Sequence, residues 1–245
     1  MRILTNARLA GRNRRIAQWM FFASLGVPLL GLLLINTTTA SPTDQSSLFV
    51  NMVLPFLILP LAYIVMLYSI RMTNQWVREP RPEAALQAGL KGISNKSVLY
   101  NYIFQPAKHV LFTPQGVFAI TTRFQDGAFT VNGSDWKSNK RGTARIMTLL
   151  RMDSIGNPTA DALKAKAKVE ELLKDIAPDV PVQPLIVFVD PKAMFEATDP
   201  TVPVLHAVNR ELPNLKDYLH ELSPDKDVSL TQEQIEAFER AYIPR

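Results

Sequence analysis

Two long runs without a charged residue limit this chain more than anything else in it. From Ile16 to Ile35 it reads IAQWMFFASLGVPLLGLLLI, twenty residues, and from Phe49 to Ile70 it reads FVNMVLPFLILPLAYIVMLYSI, twenty-two. At a rise of about 1.5 Å per residue, a helix of that length matches the roughly 30 Å hydrocarbon core of a bilayer. Eleven residues of the first run and thirteen of the second are Leu, Ile, Phe or Val. On an insertion scale the first run's share alone favours the membrane by roughly 3–6 kcal/mol. Residues 16–35 and 49–70 are therefore expected to be transmembrane helices. Pro55 and Pro60 are expected to bend the second, which neighbouring helices make tolerable. An Arg-rich start, an apolar stretch and then Thr-Thr-Ala-Ser also fit a cleaved signal peptide. The first run exceeds an h-region of about 7–15 residues, so a retained span is expected instead.

The charges set the direction. A net charge of +5 arises from 27 Lys and Arg against 22 Asp and Glu, but it is concentrated at one end. Residues 1–15 hold Arg2, Arg8, Arg12, Arg14 and Arg15 and no acid; residues 16–70 hold only Asp44; residues 71–245 hold 22 basic and 21 acidic side chains. This is not the balance of a basic globular domain, so the total charge is no argument for nucleic-acid binding. The loop 36–48, NTTTASPTDQSSL, lacks Lys and Arg, whereas Arg71, Arg78 and Arg81 follow the second run. The positive-inside rule then places both termini in the cytoplasm and the loop outside, in a multi-pass protein of the cytoplasmic membrane whose first partner is the lipid bilayer. With no cysteine, thiolate metal sites, a cysteine nucleophile and disulfides are excluded.

The expected organisation is a basic cytoplasmic arm (1–15), two helices (16–35 and 49–70) around an extracytoplasmic loop (36–48), a linker (71–81) and a cytoplasmic domain (82–245) long enough for one core. Leu86, Leu90 and Ile93 share a face of a helix expected over 83–93. Strand-like runs follow at 98–104, 109–113 and 117–124. Pro114 and Gly116 suit a type I turn joining the last two as a hairpin. Asp126-Gly127 and Asn132-Gly133 mark turns around a short strand, 128–131. Asn157-Pro158 is a helix start, an N-cap followed by proline at the first helical position, and the helix is expected to run to Ile176. The run Pro184–Asp190, PLIVFVD, reads as a strand buried on both faces. A short strand at 204–208 and a helix at 215–222 follow. Thr231 with Gln234 forms the capping box of a last helix docked by Ile235, Phe238 and Tyr242. The order predicts a mixed α/β domain with a partly antiparallel sheet.

These residues resemble a known family. The segment Lys108-His-Val-Leu-Phe-Thr-Pro-Gln-Gly-Val-Phe-Ala-Ile-Thr-Thr-Arg-Phe-Gln-Asp-Gly127 is similar to the core of the NERD (nuclease-related) domain, in which Asp-His opens a hairpin, Pro-x-Gly-Val-Phe turns it and Glu-x-Lys closes it. Trp136, the Asn157-Pro158 start, the strand 185–190 and an opening helix with Glu83, Leu86 and Leu90 follow in similar order. The resemblance implies a restriction-endonuclease-like fold of the PD-(D/E)XK superfamily, so the fold class expected is a transmembrane helical hairpin followed by a restriction-endonuclease-like mixed α/β domain. In that family the Asp and Glu hold Mg²⁺ and the Lys orients the attacking water. Oxygen anions suit a hard cation, and a cation suits the charge that develops on phosphorus. Here the three positions are Lys108, Thr121 and Arg123. An ammonium repels the ion, a hydroxyl is a weak ligand, and a guanidinium lacks the compact geometry of lysine. The resemblance thus implies a pseudoenzyme, with no catalytic residue, no cofactor and no metal.

The remaining constellations are few. His109, His206 and His220 are scattered, and no GxSxG, Walker loop or GxGxxG occurs. The stretch 137–151 carries Lys137, Lys140, Arg141, Arg145 and Arg151 without an acid. It reads either as a solvated loop or as a contact for a headgroup or an acidic partner. Two functions are weighed: a non-catalytic accessory or scaffolding protein that joins other subunits of a membrane complex, and a membrane-tethered nuclease or nucleic-acid binder whose metal site is rebuilt from Glu83, Asp126, Asp135 or Asp161.

Overall fold

A computed structural model describes residues 1–37, 53–139, 148, 154–208, 213–225 and 227–243. The chain forms two compact units: Arg8–Glu79 with Thr148–Asp153, and Met1–Ala7 with Pro80–Met147 and Ser154–Arg245.

The first unit is helical. Helix α1 (Ala7–Thr37) and helix α2 (Leu54–Trp76) are each long and apolar enough to cross a membrane by length and composition. Most of their surface is outward-facing and apolar, with Trp19 74% and Phe56 80% exposed. What is buried falls on multiples of seven residues: Ala10, Ala17 and, fourteen further on, Gly31 on α1, and Ala62, Ser69 and Trp76 on α2. Small side chains at that interval let two helical backbones approach closely. A β-carbon on Gly31 would lie 2.9 Å from Cγ2 of Ile58. α1 starts nine residues before the apolar run expected at 16–35, because hydropathy marks what suits hydrocarbon, whereas helical bonding continues through arginines that are themselves good helix formers. Pro55 occupies the first turn of α2, where its missing N–H is harmless, and Pro60 lies inside the helix. Residues 38–52, with most of the expected loop and the start of the second run, lie outside the described residues.

The second unit is built on a six-stranded sheet. Its strands are β1 (Arg2–Thr5), β2 (Val98–Phe104), β3 (Ala107–Thr113), β4 (Gly116–Arg123), β7 (Val182–Phe188) and β9 (Val204–His206), in that spatial order. β2, β3 and β4 are antiparallel neighbours; β1 runs parallel to β2, and β4, β7 and β9 run parallel. A smaller sheet contains β5 (Gly127–Asn132) between β6 (Asp135–Ser138) and β8 (Ala193–Thr198). The helices are α3 (Pro82–Gly89), α4 (Pro158–Leu173), α5 (Leu215–Glu221) and α6 (Gln232–Tyr242).

Strand periodicity assigns the two faces of the large sheet. Leu99, Leu111, Phe118, Ile120, Leu185 and Val187 pack with Leu86 and Leu90, and with Leu215 and Leu219 of α5. Val98, Tyr100, Val110, Phe112, Val117 and Ala119 point the other way, against Ala165, Val169 and Leu172 of α4 and Ile235 and Phe238 of α6. Phe129, Phe188 and Val204 join the small sheet to the first turn of α4. β7 is buried on both faces, as its unbroken apolar run predicts, with Leu185, Ile186 and Val187 fully covered.

Local signals hold at most element ends. Asn157 accepts from the Ala160 N–H at 3.0 Å and Pro158 opens α4. Thr231 and Gln234 form both halves of the capping box. The Thr113–Gly116 turn closes the β3–β4 hairpin. Several bounds differ by a few residues: α4 ends at Leu173 rather than Ile176, β9 at His206 rather than residue 208, and α2 runs to Trp76, into the expected linker. Two differences are larger. The helix expected over 83–93 ends at Gly89, where a β-carbon would sit 2.0 Å from the Ala207 carbonyl oxygen, so the close approach that needs glycine also ends the helix. Part of the segment read as a free basic arm, Arg2–Thr5, is an edge strand of the sheet. A four-residue edge strand separated from its partner by more than ninety residues leaves no local mark in sequence.

Candidate functional site

The three positions singled out by the family resemblance lie together. Residues alternate faces along a strand, so Lys108 shares a face with Val110 and Phe112, and Thr121 and Arg123 share one with Val117 and Ala119. All three belong to the face covered by α4. The hairpin register pairs His109 with Ile120, and one step further it sets Lys108 opposite Thr121. Arg123 is the diagonal neighbour, within reach of long side chains. The hairpin thus gathers at one end of the sheet the three positions for which the family resemblance implies a metal.

The donor set there does not fit a divalent cation. Lys108 and Arg123 are positive, and Thr121 supplies one neutral oxygen. Arg123 is held by Asp161 in the first turn of α4, with Nη2 donating to Oδ2 at 2.6 Å. Its side chain is only 14% exposed. Burial lowers the guanidinium pKa, and the Asp161 carboxylate opposes that shift. The Asp161 carboxylate balances the guanidinium charge. Trp136 braces the same helix turn, donating from Nε1 to the Thr159 hydroxyl at 2.9 Å.

The carboxylates that a rebuilt metal site would use are dispersed. Glu83 lies in α3 on the opposite side of the sheet from Asp161 and accepts from the Tyr102 hydroxyl at 2.8 Å. Asp126 is half-buried in the irregular connection before β5, and Asp135 is exposed at the start of β6. Among the described residues, no three His, Asp or Glu side chains form a group able to hold a metal. His206 stacks on Phe195 with ring centres 4.4 Å apart, and His220 lies in α5. Of the basic stretch, Lys137 is exposed on β6. Lys140, Arg141, Arg145 and Arg151 lie outside the described residues.

A second polar group lies on the α3 face of the same hairpin end. Thr5, Asn101 and His109 are direct register partners across β1, β2 and β3. Asn101 donates from Nδ2 to the Thr5 hydroxyl at 3.1 Å, and His109 Nδ1 lies 2.8 Å from Asn101 Oδ1. Asn101 and His109 are buried. Burial, reinforced by the Lys108 charge, pushes the imidazole pKa down to about 3. The ring is therefore neutral, with its proton on Nδ1, where the asparagine oxygen accepts it. The edge of the Tyr102 ring packs on His109 at 4.9 Å, and Tyr102 itself adopts φ +61° at an irregularity of β2. For an aromatic residue that is an unusual backbone conformation, and contacts with His109 and Glu83 help hold the side chain there. This row went unread in the sequence, although one signal was available: Asn101 occupies a core-facing position of the otherwise apolar strand VLYNYIF.

An antiparallel hairpin followed through a crossover helix by a parallel strand makes this a mixed α/β domain. Residues 79–189 match the family model of the NERD, or nuclease-related, domain. No curated protein and no solved structure matches the chain.

Proposed function

We propose that this chain is a membrane-anchored accessory or scaffolding protein whose nuclease-like domain, of restriction-endonuclease-like architecture, has no metal-dependent cleavage activity. The observation that carries the reading is the Lys108–Thr121–Arg123 face, with Asp161 bound to the guanidinium. Two like charges stand where a cation would have to bind, and the Asp161 carboxylate is engaged by Arg123. A fold and its chemistry are separable, and a retained scaffold with replaced ligands suits a domain used for its surface. The helical pair supplies the anchor, and other subunits of a membrane complex are the partners.

Two features support a cytoplasmic-membrane topology with both termini inside. The arginines cluster before α1 and after α2. β1 precedes α1 and β2 follows α2, yet the two strands pair in one sheet, which requires residues 1–6 and 80–245 to share a compartment.

The test is cleavage of single- and double-stranded DNA and RNA by the full-length protein in mild detergent, with Mg²⁺ or Mn²⁺. No metal-dependent cleavage is expected. Cleavage lost on Glu83→Ala or Asp126→Ala would overturn the reading in favour of a rebuilt active site. Gentle detergent extraction followed by mass spectrometry should recover stable partner subunits. A protein that stays a lone monomer under those conditions would count against the accessory role.

A further inference from the structure

We propose that β1 is a latch that couples α1 to the hairpin end at residues 101–109, so that a shift of the membrane helices is felt beside Lys108; this rests on the membrane-anchor reading above. Three features carry it. First, the joint has almost no slack. Thr5 ends β1 and Ala7 begins α1, and the one residue between them, Asn6, donates its N–H to the Asn101 carbonyl at 3.0 Å. A displacement along α1 therefore acts directly on Thr5 and on the row Thr5–Asn101–His109. Second, the other end of the helical pair is tied to the next residue of the same strand. The first helix after α2 is α3, whose Glu83 accepts from Tyr102 at 2.8 Å. The chain entering α1 and the chain leaving α2 thus hold consecutive residues of β2, at the point where its pairing with β3 is irregular and Tyr102 has φ +61°. Third, the start of β1 is fastened independently of its end. The Arg2 guanidinium pairs with Glu239 of α6, which also accepts from the Tyr100 hydroxyl at 2.7 Å. With Arg2 held, a pull on Thr5 opens the ladder from the membrane end first and releases Asn101, the hydrogen-bond partner of His109 and the neighbour of Tyr102.

Hydrogen exchange on the full-length chain in nanodiscs of thin and thick phosphatidylcholine bilayers tests this. Bilayer thickness biases the tilt of an inserted helix. Peptides covering 98–113 are expected to change exchange rate several-fold between the two bilayers, while peptides from α6, on the opposite face of the sheet, stay constant. Three glycines inserted between Asn6 and Ala7 are expected to abolish the response and keep the protection. Unchanged exchange at 98–113 in the parent protein, or an undiminished response in the glycine variant, would overturn the coupling. A chain that fails to incorporate into nanodiscs defeats the anchor reading and the latch with it, whereas incorporation without a response defeats the latch alone. Because the chain has no cysteine, Ile3→Cys with Leu99→Cys, register partners in β1 and β2, reports on the latch separately. An intramolecular disulfide is expected, and a disulfide-linked dimer or no disulfide would overturn it.

Discussion

Arg123 and Asp161 illustrate how a covered charge depends on its partner. A guanidinium is bulkier than an ammonium and always charged, so in a mostly covered position it needs an anion, and the first turn of α4 supplies one. The pair is asymmetric: Asp161 is 55% exposed and Arg123 largely covered. Removing the exposed partner strands the buried one, whereas removing the buried charge leaves an aspartate in water at a helix N-terminus. Asp161→Ala is therefore expected to destabilise by about 1–2 kcal/mol, below the figure for a fully buried pair because solvent screens the carboxylate. Arg123→Met should be close to neutral. Urea unfolding of the two variants in the same detergent checks the order, and a larger loss for Arg123→Met would contradict this account. His109 makes a prediction with pH. Its pKa lies near 3 in the folded chain, because of burial and then Lys108, against about 6.5 when unfolded. Below pH 6.5 the unfolded chain takes up a proton that the folded chain refuses. The contribution is thus intact above that pH and lost progressively down to about 3. Between pH 7 and 5 the loss should be about 2 kcal/mol, and the unfolding free energy of His109→Gln should lack that part of the slope.

Individual elements show what their local sequence encodes. Asn157-Pro158, Thr231 with Gln234, and Pro114 with Gly116 are short-range chemistry: a side chain and a backbone N–H three residues apart, or a fixed φ where a turn needs one. The elements they specify occur where that chemistry places them. Apolar periodicity located β2, β7 and the docking face of α6 for a similar reason, since the partner of each is a hydrophobic layer rather than a particular residue. β6 and β8 were not anticipated. Their strands, DWKS and AMFEAT, are short and mostly exposed and have little apolar alternation, so only pairing with β5 makes them strands. α3 ends before its apolar periodicity does, because Gly89 is set by a contact with Ala207, more than a hundred residues away. That contact gives an element-level prediction. Gly89→Ala puts a methyl group into a backbone oxygen that has no flexible side chain to yield, and should destabilise the domain by about 2–3 kcal/mol. A thermal shift of less than one degree for this variant would mean that the α3 end moves freely.

At the scale of the whole molecule, the proposed topology rests on two independent observations: the arginines flanking the apolar helices, and the strand pairing across them. A green fluorescent protein fused to either end should fluoresce in a bacterial host, and alkaline phosphatase inserted in the loop 36–48 should be active. An active phosphatase at the C-terminus would contradict both the positive-inside reading and the β1–β2 ladder. The sequence alone determined the parts whose physics is local or additive: two runs suited to hydrocarbon, the capped helices, the hairpin, and the residue types at three family positions that do not suit a metal ion. Only the tertiary structure decided how those residues are balanced. Asp161 lies against Arg123, Glu83 falls on the other side of the sheet, and a tetrapeptide ahead of the first helix completes a sheet built from the far side of the second. The reason is that these pairings are non-local. Each depends on register and on which face of the sheet a side chain occupies, and neither exists until the strands have met.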